Sequence, residues 1–193
     1  MLVDKREISD YLKDYSSGNI KEGLKIGCRL DDYLRFKKGT FNMILGHDNT
    51  GKTYYRMWYY LVLAVKHNLR FCIWTGENKA GQIIRNLIKI YTGKDPAKMT
   101  LMQLYQYQEE LGQWFDFVDN SKLYRYDELL DIFGSGGYNS CLIDPYTGLD
   151  RDYTHSANDE FLNATRQWVN ETEIRIDVCN HPVSSAGRGG SVF

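Results

Sequence analysis

The sequence predicts an α/β fold in which a mainly parallel sheet is covered by helices on both faces. Three observations lead there. Short apolar runs alternate with longer stretches of helical periodicity along the whole chain. The run Phe41-Asn42-Met43-Ile44-Leu45 leads through a glycine-bounded loop, residues 46–51, into residues 53–67, which hold no Gly or Pro. Lys52, Glu77, Asp144 and His181 stand at or just past the ends of the apolar runs, where open parallel sheets place their ligands.

The elements follow in order. Residues 4–15 are charged, with Ile8, Leu12 and Tyr15 at helical spacing, and Ser16-Ser17-Gly18 stops them. This amphipathic helix either packs on its own domain or serves as an arm that docks on a neighbouring subunit. The expected division is an arm, residues 1–22, and one domain, residues 23–193. Gly23 to Gly27 turns into a short helix at residues 31–34. The strand at 41–45 and the helix at 53–67 flank the glycine loop. A second strand, residues 70–75, ends at Gly76-Glu77-Asn78. Residues 79–91 form a helix with Ile83, Ile84, Leu87, Ile88 and Tyr91 on one face, broken at Thr92 to Pro96. A helix at 100–111, a short strand at 114–118 and a helix at 126–133 come next. Ser140-Cys141-Leu142-Ile143-Asp144 is an apolar strand ending in a carboxylate. A helix over 158–170 leads to residues 173–179, which alternate like a strand and end at Asn180-His181-Pro182. Residues 183–193 are rich in Ser and Gly.

Composition narrows the classes. A chain of 193 residues is long enough for one domain with a sizeable core. A net charge of −1 gives no overall nucleic-acid footprint, so any such contact is local. Cys28, Cys72, Cys141 and Cys179 are isolated, and three of them fall in expected buried strands. That spacing argues against zinc and against a disulfide scaffold, and for a reducing compartment. With no apolar run of membrane-spanning length and no signal peptide, the expectation is a cytoplasmic protein.

The loop Gly46-His47-Asp48-Asn49-Thr50-Gly51-Lys52-Thr53 matches the phosphate-binding P-loop pattern. Gly46 and Gly51 let backbone come close to a triphosphate. Successive N–H groups then form an anion nest at the positive end of the next helix. Lys52 is placed for the β- and γ-phosphates, and the Thr53 hydroxyl for Mg²⁺. Asn49 sits where many such loops carry glycine, and Asn tolerates the left-handed conformation. The expected nucleotide-binding set is Gly46, Asp48, Asn49, Thr50, Gly51, Lys52, Thr53 and Tyr54, with ATP and Mg²⁺ as ligands. Asp144 reads as the carboxylate completing the Mg²⁺ shell, or as an ordinary cap of the Asp144-Pro145-Tyr146 turn. Glu77 reads as the group orienting water against the γ-phosphate, or as a solvated carboxylate ahead of a helix. Tyr54, Tyr55, Trp58, Tyr59 and Tyr60 mainly serve packing on the sheet, with base stacking by one of them left open.

From about Gly23 to Arg188 the sequence resembles the RecA-like ATPase core of DnaB-type replicative helicases, especially those of phages and mitochondrial Twinkle. The resemblance rests on Gly23-Leu24-Lys25-Ile26-Gly27, the P-loop, Trp74-Thr75-Gly76-Glu77-Asn78, Cys141-Leu142-Ile143-Asp144-Pro145 and Val178-Cys179-Asn180-His181-Pro182. It implies a three-layer P-loop NTPase fold with the His181 strand between the P-loop strand and the Asp144 strand. It implies catalytic roles for Glu77, Lys52 and His181, with His181 sensing the γ-phosphate, and a metal shell of Thr53 and Asp144. The alternative for His181 is a structural turn histidine before Pro182. The resemblance also implies single-stranded DNA as partner, gripped through Ser185 and Arg188, a hexameric ring, and the host cytoplasm if the protein is viral; on the residues alone that Ser- and Gly-rich stretch reads as either a DNA-contacting loop or a frayed tail. In the family the core continues with further strands and an arginine finger, so a C-terminally incomplete core is expected. Rival readings are a recombinase or recombination mediator, a small-molecule kinase, and a non-catalytic nucleotide-dependent assembly module.

Overall fold

The computed structural model describes residues 4–18, 22–47, 49–152 and 154–181. The chain divides into two compact units, residues 1–37 and 38–193.

In the first unit, helix α1 (Lys5–Ser16) starts at Asp4, whose carboxylate accepts from the Arg6 amide at 2.9 Å. None of its residues is buried, and Ile8, Tyr11, Leu12 and Tyr15 are each at least half exposed. Leu24 and Phe36 then pair antiparallel and close a loop. Inside that loop the buried Asp31 carboxylate accepts from the amides of Ile26, Gly27 and Cys28 at 2.7, 2.7 and 3.1 Å. That side-chain demand on the backbone gives a single 3-10 turn at Arg29–Asp32 where periodicity suggests a helix at 31–34.

The second unit alternates strands and helices: β1 (Phe41–Leu45), α2 (Lys52–His67), β2 (Phe71–Thr75), α3 (Ala80–Thr92), α4 (Leu101–Gly112), β3 (Phe115–Phe117), α5 (Tyr126–Ser135), β4 (Ser140–Asp144), α6 (His155–Thr172) and β5 (Arg175–Asn180). All pairings are parallel, in the order β1-β5-β4-β2-β3. The register sets Leu45 beside Asn180 and Thr75 beside Asp144. The carboxyl ends of the strands therefore share one edge. Helices end where local chemistry dictates. Thr154 caps α6 through its hydroxyl, so that helix begins a turn earlier than its apolar spacing suggests. Glu173 adopts φ 56° and closes the same helix, which delays β5 to Arg175.

Alternate strand residues serve opposite layers. Cys72, Trp74, Cys141, Ile143, Ile176 and Val178 pack with Leu129, Leu130 and Phe133 of α5 and Phe161 and Val169 of α6. The other face takes α2, where the Tyr60 ring stacks on Phe71 with centroids 4.2 Å apart; α3 lies against α2, and α4 against α3. Burial pushes the Cys72 thiol up to about 12 and raises those of Cys141 and Cys179 as well. All three remain free, protonated thiols in the core.

The alternation in β5 ordinarily signals a half-solvated strand. Here both faces are covered, and Arg175 and Asp177 are buried with Arg56 of α2. Asp177 accepts from Arg56 Nη1 at 3.1 Å, Arg175 Nε at 3.1 Å and the Tyr60 hydroxyl at 2.7 Å. Burial, and then the Asp177 charge, hold the Tyr60 hydroxyl well above the usual tyrosine range, so it stays a donor. Removing the carboxylate would strand two guanidinium groups in the core. Asp177→Ala is expected to cost about 3–5 kcal/mol, a fall in Tm on the order of 10 °C in thermal unfolding.

Candidate functional site

The loop after β1 runs from Gly46 to Gly51, with Asp48 outside the described residues. Asn49 takes φ 59° and Gly51 φ 86°, the left-handed turns that bring successive amides toward the start of α2. A Cβ at Gly46 would meet Thr50 Oγ1 at 3.0 Å and Lys52 Cδ at 3.2 Å, so a side chain there would press on both. The Thr50 hydroxyl donates to the His47 carbonyl at 2.8 Å and braces the loop.

Lys52, the first residue of α2, folds back under this loop. Its ammonium donates to the carbonyls of Gly46 and His47 at 2.6 and 2.8 Å and stands 3.1 Å from His181 Nδ1. An ammonium can only donate, so Nδ1 accepts and the ring proton lies on Nε2. That atom faces Glu77 Oε1 at 3.4 Å. Thr53, one residue on, donates its hydroxyl to Asp144 Oδ2 at 2.6 Å. Four strand ends thus contribute: β1 through the loop, β2 through Glu77, β4 through Asp144 and β5 through His181.

These groups line one cleft of about 350 Å³. Asn49, Thr50, Gly51 and Tyr54 line it too. Met57, Asn78, Ile83 and Asn86 complete the wall. Of these, Asn78 belongs to the polar exit of its strand and Ile83 to the apolar face of α3, both legible in the residues; nothing in the sequence marks Asn86. Ser185 and Arg188 lie outside the described residues. A larger cavity of about 550 Å³ between α3 and α4, lined by Ile84, Arg85, Lys89, Asp95 and Leu101, holds none of the four strand-end groups.

The chemistry open to the cleft is that of anion binding beside a hard cation. Amides at the α2 N-terminus and the Lys52 ammonium suit phosphate oxygens. The Thr53 hydroxyl and Asp144 carboxylate are two hard oxygens, which suit Mg²⁺; that ion keeps waters and takes one or two protein ligands with substrate phosphate. Among the described residues, no group of three or more His, Cys, Asp or Glu could hold a metal on protein ligands alone.

The architecture has counterparts among solved structures. The chain matches the ATPase domain of one solved protein with a TM-score of 0.68 at 13% identity, over 97% of this chain and 73% of that one. It also matches a DnaB-like replicative helicase, described with its interactions with primase, with a TM-score of 0.72 at 10% identity. This chain has the RecA-like fold of DnaB-type ATPase cores. The second match covers 100% of this chain and 51% of the other, so the chain spans about half the length of that helicase. As the resemblance implies for such a core, β5 lies between β1 and β4. No protein-family profile matches the sequence, and no curated protein matches it.

A Cβ added at Gly51 would meet no atom within 4 Å, so the cost of a side chain there is purely that of its φ of 86°. Gly51→Ala is expected to lose about 1–2 kcal/mol of loop stability. A fall in Tm of a few degrees then follows, read by thermal unfolding, with an unchanged far-UV spectrum.

Proposed function

We propose that this chain is the ATP-binding and hydrolysing motor core of a phage-type DnaB-family DNA helicase that translocates on single-stranded DNA. The observation that carries the proposal is the meeting of Lys52, Thr53, Glu77, Asp144 and His181 around a single cleft. The glycine loop and Lys52 would hold the β- and γ-phosphates of ATP. Thr53 and Asp144 would hold Mg²⁺, which supplies charge neutralisation across the phosphates. Glu77, whose side chain is 57% exposed in the cleft mouth, would orient the attacking water and accept its proton. His181 stands between Lys52 and Glu77 and would exchange Lys52 for the γ-phosphate, which makes it a reporter of nucleotide state.

The test separates this reading from a non-catalytic assembly module that merely binds nucleotide. Glu77→Gln keeps the shape and removes the base. Turnover of ATP is expected to fall at least about 100-fold while nucleotide affinity is nearly unchanged. Steady ATPase activity that survives Glu77→Gln would remove Glu77 from the chemistry. Strand displacement on a forked duplex distinguishes a helicase from a recombinase, which pairs strands instead.

The partner side of the proposal is a ring of copies on single-stranded DNA, with Ser185 and Arg188 as the DNA contacts. Helix α1 supports assembly. It is capped and amphipathic, yet Ile8, Tyr11, Leu12 and Tyr15 all lie on its surface, and a contiguous apolar face of this kind marks an interaction site. We place it as an arm on a neighbouring copy. Leu12→Glu combined with Tyr15→Glu is expected to shift light-scattering mass toward the monomer without altering the thermal unfolding of the 38–193 unit. No helix among the described residues is long and apolar enough to cross a membrane.

A further inference from the structure

Glu77 sits on the loop that joins β2 to α3, and that loop is unusually well tied for a segment with an exposed carboxylate. The Gly76 amide donates to the Asp144 carbonyl at 2.9 Å, which joins it to the end of β4. The Asn78 amide donates to Thr75 Oγ1 at 3.1 Å, which closes the turn on itself. Gly76 lies under Trp74, where an added Cβ would meet the ring at 3.2 Å and Gly148 Cα at 3.6 Å.

The remaining tie comes from outside. Asn120 lies past the end of β3, in a segment fixed by the Val118 amide bonding to the Ile73 carbonyl at 2.9 Å. Its Nδ2 donates to the Thr75 carbonyl at 2.9 Å and to the Asn78 carbonyl at 3.1 Å. Those two carbonyls bracket Gly76 and Glu77. One side-chain nitrogen therefore spans the loop at its base, and the loop's apex is Glu77. The residue type follows from the chemistry. Two acceptors on one atom require two N–H bonds, which a carboxamide supplies without charge. A hydroxyl has one proton, and a carboxylate has none and would repel both carbonyls.

We propose that Asn120 is a positioning residue for Glu77: it holds the β2–α3 loop so that the Glu77 carboxylate is aimed into the cleft beside His181. The proposal rests on the reading of Glu77 as the water-orienting base, and it assigns Asn120 no contact with nucleotide. Preorganisation of this kind acts on turnover, because a base misplaced by a fraction of an ångström still leaves the phosphate cradle intact.

The experiment uses the full chain and the near-isosteric variant Asn120→Asp, with Asn120→Ala beside it. In Asn120→Asp, kcat for ATP is expected to fall about tenfold, the change set by losing two hydrogen bonds. KM for ATP is expected to stay put, and in a Glu77→Gln background the same substitution should add nothing further. Hydrogen exchange at the amides of Gly76, Glu77 and Asn78, measured without nucleotide, should quicken in both variants, while core amides of β4 and β5 keep their protection. Unchanged exchange at 76–78 overturns the clamp, whatever the turnover. Faster exchange with wild-type kcat, or an equal loss in the Glu77→Gln background, overturns the link to Glu77. A wild-type chain that binds ATP without turnover defeats the hydrolytic reading instead, and the exchange measurement then still decides the clamp.

Discussion

The pairing of Lys52 with His181 in the cleft rests on one buried ion cluster. Arg56 lies one helical turn beyond Lys52 on α2, and Asp177 lies four residues before His181 on β5. Their contact at 3.1 Å, joined by the bond from the Tyr60 hydroxyl of α2, locks α2 against β5, while Arg175 holds the same carboxylate from within β5. Lys52 and His181 are thereby held at their 3.1 Å separation from beneath the sheet edge. A hydrophobic contact would bind the same surfaces but would tolerate sliding along them. Directional bonds between fully buried charges do not, because a shift of one ångström would leave a guanidinium unpaired in a medium that cannot solvate it.

The parallel sheet converts that local lock into a site. Strands that run the same way end on the same edge, and each connection on that edge is free to carry chemistry. The edge positions contribute unequally. The strands β2, β4 and β5 are buried almost throughout, whereas β1 leaves Met43 and Leu45 exposed. The glycine loop thus hangs from the least buried of the four contributing strands and depends on hydrogen bonds for its shape. Thr50 to His47 and Lys52 to Gly46 supply them.

Much of this was legible in the residues, and the physical reason is locality. A P-loop is defined by a run of eight residues whose conformation is set by their own glycines, so its shape and neighbours follow from sequence alone. The strand-end residues Glu77, Asp144 and His181 were legible because an apolar run followed by a polar residue marks both the element and its exit. Element ends were less so, since Thr154 and Glu173 act through cap geometry that spacing does not encode. The buried pair in β5 was illegible for a deeper reason. Alternating charge reads as a solvated face unless one knows that Arg56 arrives from 121 positions earlier in the chain to meet Asp177. Asn120 was illegible likewise, because its role depends on two carbonyls contributed by a different strand and its loop.

The internal bonds of the cleft also define what a ligand must do. Lys52 is not a bare cation, since two carbonyls and an imidazole surround it. Thr53 and Asp144 likewise satisfy one another. A phosphate that enters exchanges Lys52's bonds to neutral acceptors for bonds to an anion, so the gain comes from pairing opposite charges and from the backbone amides at the start of α2. The exchange is not silent. A phosphate that takes Lys52 releases what the ammonium had held, His181 among them, and a cation taken by Thr53 and Asp144 breaks the bond between those two. His181 and Asp144 sit at the ends of adjacent strands, β5 and β4, and the Asp144 carbonyl receives the Gly76 amide of the Glu77 loop. Both border the Glu77 loop, His181 through its imidazole and Asp144 through its carbonyl on β4.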